Sequence, residues 1–315
     1  MTEAYYTEGT LLNTEKNREY ISSLEGLERA MHEGRILEAV AVRAHGAQTL
    51  TVELGELYGT IEKNEVQLTN GEAVKDIAVI TRVGKPVCFK VTGIERRRVG
   101  EPIITLSRRA AQFECAKHYL AGLLPGDVID AKVTHLEHFG AFVDIGCGIV
   151  SLLSIDCMSV SRITHPADRL SVGSQISVVV RAIDKDSTGL PTRLFVTRRE
   201  LLGTWEENAA LFSVGQTVTG IVRSVEPYGI FVELTPNLAG LAEYRDDVSV
   251  GQTAAVYIKN IIPERMKVKL VIIDPQRGIA PQNGKDNIIC SDERHITHWK
   301  YSPEECERVV ETVFE

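Results

Sequence analysis

A thirteen-residue pattern occurs twice in this chain, 89 residues apart and without a gap. V-T-H-L-E-H-F-G-A-F-V-D-I runs from Val133 to Ile145, and V-R-S-V-E-P-Y-G-I-F-V-E-L from Val222 to Leu234. Each copy reads as a strand, a tight bend at Gly140 or Gly229, and a second strand, with aromatics flanking the bend. Self-similarity at a fixed period marks an array of one structural unit. An aromatic–Gly–x–aromatic element used twice therefore confines the chain to repeated β-modules. Function is expected on the face where those aromatics sit.

Extending the repeat in both directions divides the chain. Residues 1–33 form an acidic, partly helical arm, with Leu24, Leu27 and Met31 at helical spacing. Modules follow at 34–110, 124–199 and 213–274. Helical connectors at 111–123 and 200–212 are each led by an Arg-Arg pair. In the second module, strands are predicted at Val128–Glu137, Phe139–Ile145, Ile149–Leu153, Gln175–Asp184 and Arg193–Thr197. A loop with one helical turn spans Asp156–Leu170. The first module keeps the strands and Gly-marked turns but reads Ala44-His45-Gly46-Ala47 at the bend, without the aromatic pair. Five short strands with a helical insertion after the third give the expected fold class. It is mainly β: three tandem five-stranded oligonucleotide-binding-fold (OB-fold) barrels joined by short helices. In the tail, 275–315, Ser302-Pro303-Glu304-Glu305 reads as an N-cap opening a short helix over Glu305–Phe314.

Charge narrows the mode of action. The net charge of −8 argues, taken alone, against a nucleic-acid binder. The acid is concentrated outside the modules, however. Residues 1–33 carry 3 basic against 7 acidic residues, and the first module carries 12 against 9. The second module carries 8 against 8 and the third 6 against 7. Binding here is expected to rest on stacking more than on bulk charge.

Several classes are excluded. No apolar run approaches the ~20 residues of a membrane helix, and the acidic, polar start is not a secretory signal. Six scattered cysteines without C-x-x-C fit a reduced, cytoplasmic protein. No nucleophile–base motif and no phosphate loop occurs, since Gly146-Cys147-Gly148 joins two strands rather than strand to helix. No enzyme, cofactor or metal is expected. Cys290, His295, His298 and Cys306 have no finger spacing, and Trp299 and Tyr301 beside them point to packing.

The residues resemble a known family. Leu124-Pro125-Gly126-Asp127-Val128, Phe139-Gly140-Ala141-Phe142-Val143 and Gly148–Ser154 resemble the RNA-binding repeat of bacterial ribosomal protein S1. Tyr228-Gly229-Ile230-Phe231-Val232 and Gly240-Leu241-Ala242-Glu243 do so in the third module, and the R-R-A-A-Q connector is similar to short, three-repeat Gram-positive versions. The resemblance implies single-stranded RNA binding, mRNA in particular, at or near the small ribosomal subunit, by a protein that is monomeric off the ribosome. It assigns Phe139 and Phe142 as the aromatic pair, Ser151 to the usual His position, and Asp184 and Arg193 to the remaining contacts. In the third module it assigns Tyr228 and Phe231, with Glu243 at the His position and Lys267 at the Arg position. Arg96, Arg97 and Arg98 are extra to the pattern and are candidate ribosome or RNA contacts.

Two alternatives stay open at this level. Phe139 and Phe142 lie three apart, so a regular strand would face them oppositely; either Gly140 permits a bulge that turns both outward, or one ring fills the barrel. The array could also be a protein–protein scaffold on the ribosome or an RNA-degrading complex, with RNA binding weak or vestigial.

Overall fold

The computed structural model describes residues 5–69, 71–276 and 293–315. Three closed β-barrels follow one another. The first is built from β1 (Leu37–His45), β2 (Thr49–Leu54), β3 (Leu57–Glu62), β4 (Pro86–Glu95) and β5 (Ile103–Ser107). The second uses β6 (Val128–Glu137), β7 (Gly140–Asp144), β8 (Val150–Ser154), β9 (Gln175–Lys185) and β10 (Pro191–Thr197). The third uses β11 (Thr217–Glu226), β12 (Gly229–Thr235), β13 (Leu238–Ala242), β14 (Thr253–Ile262) and β15 (Lys267–Gln276). In each barrel the first strand pairs with the second and fourth. A parallel pairing of the third strand with the fifth closes the cylinder.

Alternation of side chains fills each barrel with its own apolar core. Val133, Val143, Leu153, Val178 and Val196 are within 1 % of full burial in the second. The first strand of every barrel carries a bulge at the same place: after Ala41, after Val133 and after Val222. A bulge adds a residue, so the next side chain changes face. The strands beyond it twist around the barrel rather than across it.

Helices surround and join the barrels. α1 (Glu15–Ile21) and α2 (Leu24–Glu33) pack on barrel 1, contributing buried Tyr20 and Leu27 to its core. Met31 remains 38 % exposed. Ser23 caps α2 by accepting from the Gly26 amide, and Gly34 ends it at φ +67°, where a left-handed residue is needed. α3 (Asp76–Ile80) lies between β3 and β4. α4 (Arg108–His118), capped by Ser107, joins barrels 1 and 2. Ala111, Cys115 and Leu120 are buried there, whereas His118 is exposed. The second connector holds one 3-10 turn and α5 (Trp205–Ala209).

The tail departs from expectation. No helix forms over Glu305–Phe314; instead β16 (His298–Lys300) pairs with β17 (Glu311–Val313). The run Val309-Val310-Glu311-Thr312-Val313-Phe314 is β-branched and aromatic, which favours a pleated surface over a helix. Ser302 serves as a turn acceptor for the Val310 amide rather than as a helix cap. The ribbon buries Ile296, Trp299 and Tyr301 in the core of barrel 3. It also reaches barrel 2, where Val128 donates to the Arg294 carbonyl and Ile296 to the Gly126 carbonyl. Cys290 lies outside the described residues. His295 and His298 are paired with Asp127 and Glu311, and no metal-binding cluster occurs among the described residues.

Buried polar staples fix the junctions. Between barrels 1 and 2, the N-terminal segment at residues 5–12 runs through the interface. Buried Glu8 accepts two bonds from the fully buried Arg108 guanidinium, at 2.6 and 3.1 Å, and one from the Cys88 amide at 3.1 Å. The Glu8 amide donates to Asp144 at 2.6 Å. Burial alone would push the Glu8 carboxyl up, but Arg108 and Arg82 outweigh it and hold it below its ordinary value. Between barrels 2 and 3, Arg169 forms a two-pronged pair with Glu233, and Arg223 reaches the same carboxylate at 2.8 and 3.2 Å. Arg169 and Glu233 are 4 % and 1 % exposed.

Candidate nucleic-acid interface

On barrel 2 the bulge and the closing strand together build one continuous outer row. Beyond the bulge His135 faces outward, opposite Phe142 on β7. Phe142 is opposite Leu152 on β8, and Leu152 is opposite Phe195 on β10. His135, Phe142, Leu152 and Phe195 thus lie side by side across four strands. The His135 and Phe142 rings are nearly parallel, 21° apart at 6.4 Å between centroids. Residues one step away, Val143, Leu153 and Val196, point into the core. The row is therefore a floor whose back is anchored by the barrel.

Phe139 stands at the end of this floor. It is not within a strand, since β7 begins at Gly140, and Phe139 occupies the turn before it. The three-residue spacing from Phe142 therefore carries no parity conflict, and the bulge lies on the partner strand β6 rather than at Gly140. Glycine is needed at 140 for close approach instead, because a Cβ there would sit 2.5 Å from the Leu153 carbonyl oxygen. Phe139 is 53 % exposed and meets Phe142 edge to face, 88° at 6.0 Å. Neither ring plugs the barrel. Arg193 and Asp184 are paired across β10 and β9, both exposed, with Arg193 two residues from Phe195 on the same face. Among the described residues neither charged side chain has a hydrogen-bond or ion-pair partner.

Ser151 is a correction. Its side chain is 2 % exposed, and its hydroxyl donates to the Leu194 carbonyl at 2.6 Å across the β8–β10 seam. Strand register explains the misplacement. In barrel 3, Val232 pairs with Gly240 and Ile230 with Ala242; in barrel 2, Val143 pairs with Ser151 and Ala141 with Leu153. Ser151 therefore corresponds to Gly240, and the counterpart of Glu243 is Ser154. Ser154 is partly exposed, opposite Gly140, with its hydroxyl bonded to Asp156. Sequence reasoning also missed Phe195 and Leu152. Counting two residues on from Arg193 along an alternating strand would have found the first.

Barrel 3 repeats the frame with different chemistry. Ser224, Phe231, Leu241 and Lys269 form its row. Tyr228, 70 % exposed, meets Phe231 edge to face at 6.2 Å and 84°. Lys267 and Glu243 are exposed, with Lys267 opposite Ile262 where barrel 2 has Asp184. Lysine thus replaces the second floor aromatic. In barrel 1 the row is Arg43, Thr51, Thr60 and Thr105, with no aromatic ring. Among the extra arginines, Arg96 is engaged: Nε and Nη2 both donate to Glu28 at 2.8 Å, tying the β4–β5 turn to α2. Arg97 and Arg98 are exposed.

Three five-stranded barrels, two of which present a ring pair on a four-strand floor, define an OB-fold array with exposed aromatic faces. Residues 124–191, which hold most of barrel 2, match the S1 RNA binding domain family. The chain as a whole is similar to the small ribosomal subunit protein bS1 of Mycobacterium tuberculosis, with 28 % identity over 84 % of this chain and 55 % of that protein. It is also similar to the bS1 homolog of Bacillus cereus, with 27 % identity over 71 % of this chain and 56 % of that one. The chain spans about half the length of the curated relatives it matches. Among solved structures, a Streptococcus pneumoniae multidomain protein with nucleic acid binding domains covers 79 % of this chain and is itself 76 % covered, at 15 % identity and a TM-score of 0.24. No helix among the described residues is long and apolar enough to cross a membrane.

Proposed function

We propose that this chain binds single-stranded RNA, mRNA in particular, through the outer faces of barrels 2 and 3. We propose further that it acts in translation at or near the small ribosomal subunit, in the cytoplasm and as a monomer when off the subunit. The observation that carries this reading is the row of His135, Phe142, Leu152 and Phe195, with Phe139 standing edge-on at its end. Exposed rings held by a barrel accept unstacked bases at ~1–3 kcal/mol each without reading sequence. Arg193 at the edge of the floor supplies a cation for phosphate. The relatives' name, small ribosomal subunit protein, supports the place of action. Barrel 1, with threonines on its row, is a docking module in this reading. The chain is a binding protein rather than an enzyme.

The test replaces Phe139, Phe142, Tyr228 and Phe231 together with Ala and titrates a labelled single-stranded RNA. Affinity falls at least a hundredfold if the faces bind; unchanged affinity sinks them. A shallow salt dependence is expected, because few phosphates are neutralised. A second reading, a protein scaffold, draws on exposed Glu243 and on the net charge of −8. Ribosome sedimentation after nuclease treatment separates the two, since only a scaffold stays bound without RNA.

A further inference from the structure

A groove with a volume near 370 Å³ lies between barrels 1 and 2. It starts at the stacking face of barrel 2, where Thr192 and Arg193 form one wall, and runs to Arg82, Gln67 and Gln112 on the side of barrel 1 and α4. Arg82 is unusual there. Its Nη1 reaches Glu8 at 3.3 Å, but Glu8 is already held by Arg108 at 2.6 Å. The Arg82 Nε is buried with no hydrogen-bond acceptor among the described residues. A buried donor without an acceptor is costly, and an acceptor oxygen brought into the groove would relieve that cost. Repulsion from Arg108, and then burial, lower the Arg82 pKa, as expected for a cation short of counter-charge. Arg193, at the other end, is exposed and also without an ion-pair partner among the described residues.

We infer that this inter-barrel groove is a phosphate-binding extension of the barrel 2 face, in which Arg193 holds a backbone phosphate beside the face and Arg82 one farther along an RNA strand whose bases stack on Phe142 and Phe195. The inference rests on the RNA-binding reading above. It assigns the junction, built by the Glu8 staple, a binding role as well as a structural one. It also gives barrel 1 a part in RNA binding that its threonine row does not provide. Short oligonucleotides fill the barrel 2 face alone, and longer ones reach Arg82.

The experiment uses the full chain and two labelled oligouridylates, one of about four and one of about twelve nucleotides, a span set by OB-fold site sizes. Arg82→Gln removes the cation. Gln67→Glu places a negative charge in the groove without touching the staple, because Gln67 is exposed. Each variant is expected to bind the longer RNA about tenfold more weakly, the worth of one charge-assisted contact. Arg82→Gln should also lower the salt slope by about 0.7, the value for one single-strand phosphate. Neither should alter binding of the shorter RNA. If both variants bind the longer RNA as wild type does while Phe142→Ala loses affinity for both lengths, the groove assignment is wrong and the face stands. If wild type binds neither RNA, the RNA-binding reading fails and takes the groove with it. If Arg82→Gln weakens both lengths equally and lowers the melting temperature while Gln67→Glu is silent, Arg82 is structural and the inference is overturned.

Discussion

Replacing Phe142 with Leu isolates the ring from the apolar cover it provides. Phe142 is half-buried between His135 and Leu152, with Phe139 edge-on at 6.0 Å. A stacked base contributes ~1–3 kcal/mol by alanine substitution, equivalent to roughly 5- to 150-fold in Kd. Loss of a Phe side chain from a full core costs ~3–5 kcal/mol. Phe142 is only half covered and Leu retains part of its volume, so the stability loss is expected at about 1 kcal/mol. That is small against the ~5–15 kcal/mol of a folded domain. Affinity and stability should therefore separate. Fluorescence anisotropy with a labelled oligouridylate should give a Kd at least fivefold weaker, with an unchanged salt slope, since no cation is removed. Urea denaturation run in parallel should shift only slightly. Arg193→Ala is the converse control, lowering the salt slope by about 0.7 with stacking intact. If Phe142→Leu binds like wild type while Arg193→Ala abolishes binding, the floor is not a stacking surface and the RNA is held by charge.

Three further outcomes concern the junctions and the buried groups near them. Glu233→Ala leaves Arg169, 4 % exposed, as an uncompensated buried cation and Arg223, 11 % exposed, with only Asp168 at 3.5 Å, and should cost ~3–5 kcal/mol in chemical denaturation of the barrel 2–3 unit; Arg223→Ala, which leaves the Arg169 pair intact, should cost less. Trp299→Ala opens a cavity in the core of barrel 3 and should cost ~3–5 kcal/mol, read as a lower melting temperature in the full chain. Burial pushes the Glu38 carboxyl up to about 7. An acid raised in the fold favours folding fully below its unfolded value near 4.5 and loses that contribution as pH rises through about 7. The denaturation midpoint of wild type should therefore fall between about pH 5 and 8, and Glu38→Gln should flatten that fall; an equally steep fall in the variant would refute the assignment.

The repeat was the most legible feature, because period-2 alternation with Gly-marked bends specifies a barrel strand by strand. Val128–Glu137 begins and ends where the sequence places it. The outward pair of aromatics was legible as residues but not as geometry. Phe139 escapes strand parity by sitting in a turn, and the bulge is on β6, a position that no single residue type marks. Ser151 was misplaced by a count along β8 that only cross-strand register corrects. Strand alternation from Arg193 marks Phe195 as outward, but not its place on the floor, since its neighbours Leu152 and Phe142 are distant in sequence and meet only through the parallel β8–β10 seam. The tail strand was hidden by a Ser-Pro-Glu-Glu run with the composition of a helix start. Local capping chemistry lost there to the burial of Trp299 and Tyr301 against barrel 3. The staples, Glu8 with Arg108 and Arg169 with Glu233, join residues 100 and 64 positions apart and leave no local signature.

RNA is expected on the outer floor of barrel 2. Ultraviolet crosslinking of a uridine-rich single-stranded RNA to the full chain, with peptide mapping of the adducts, tests it most directly. Adducts are expected on Phe139, Phe142 and Phe195, with a second set on Tyr228 and Phe231. Adducts confined to the Arg97-Arg98 turn or to the row of barrel 1, with the barrel 2 rings unmodified, would contradict it.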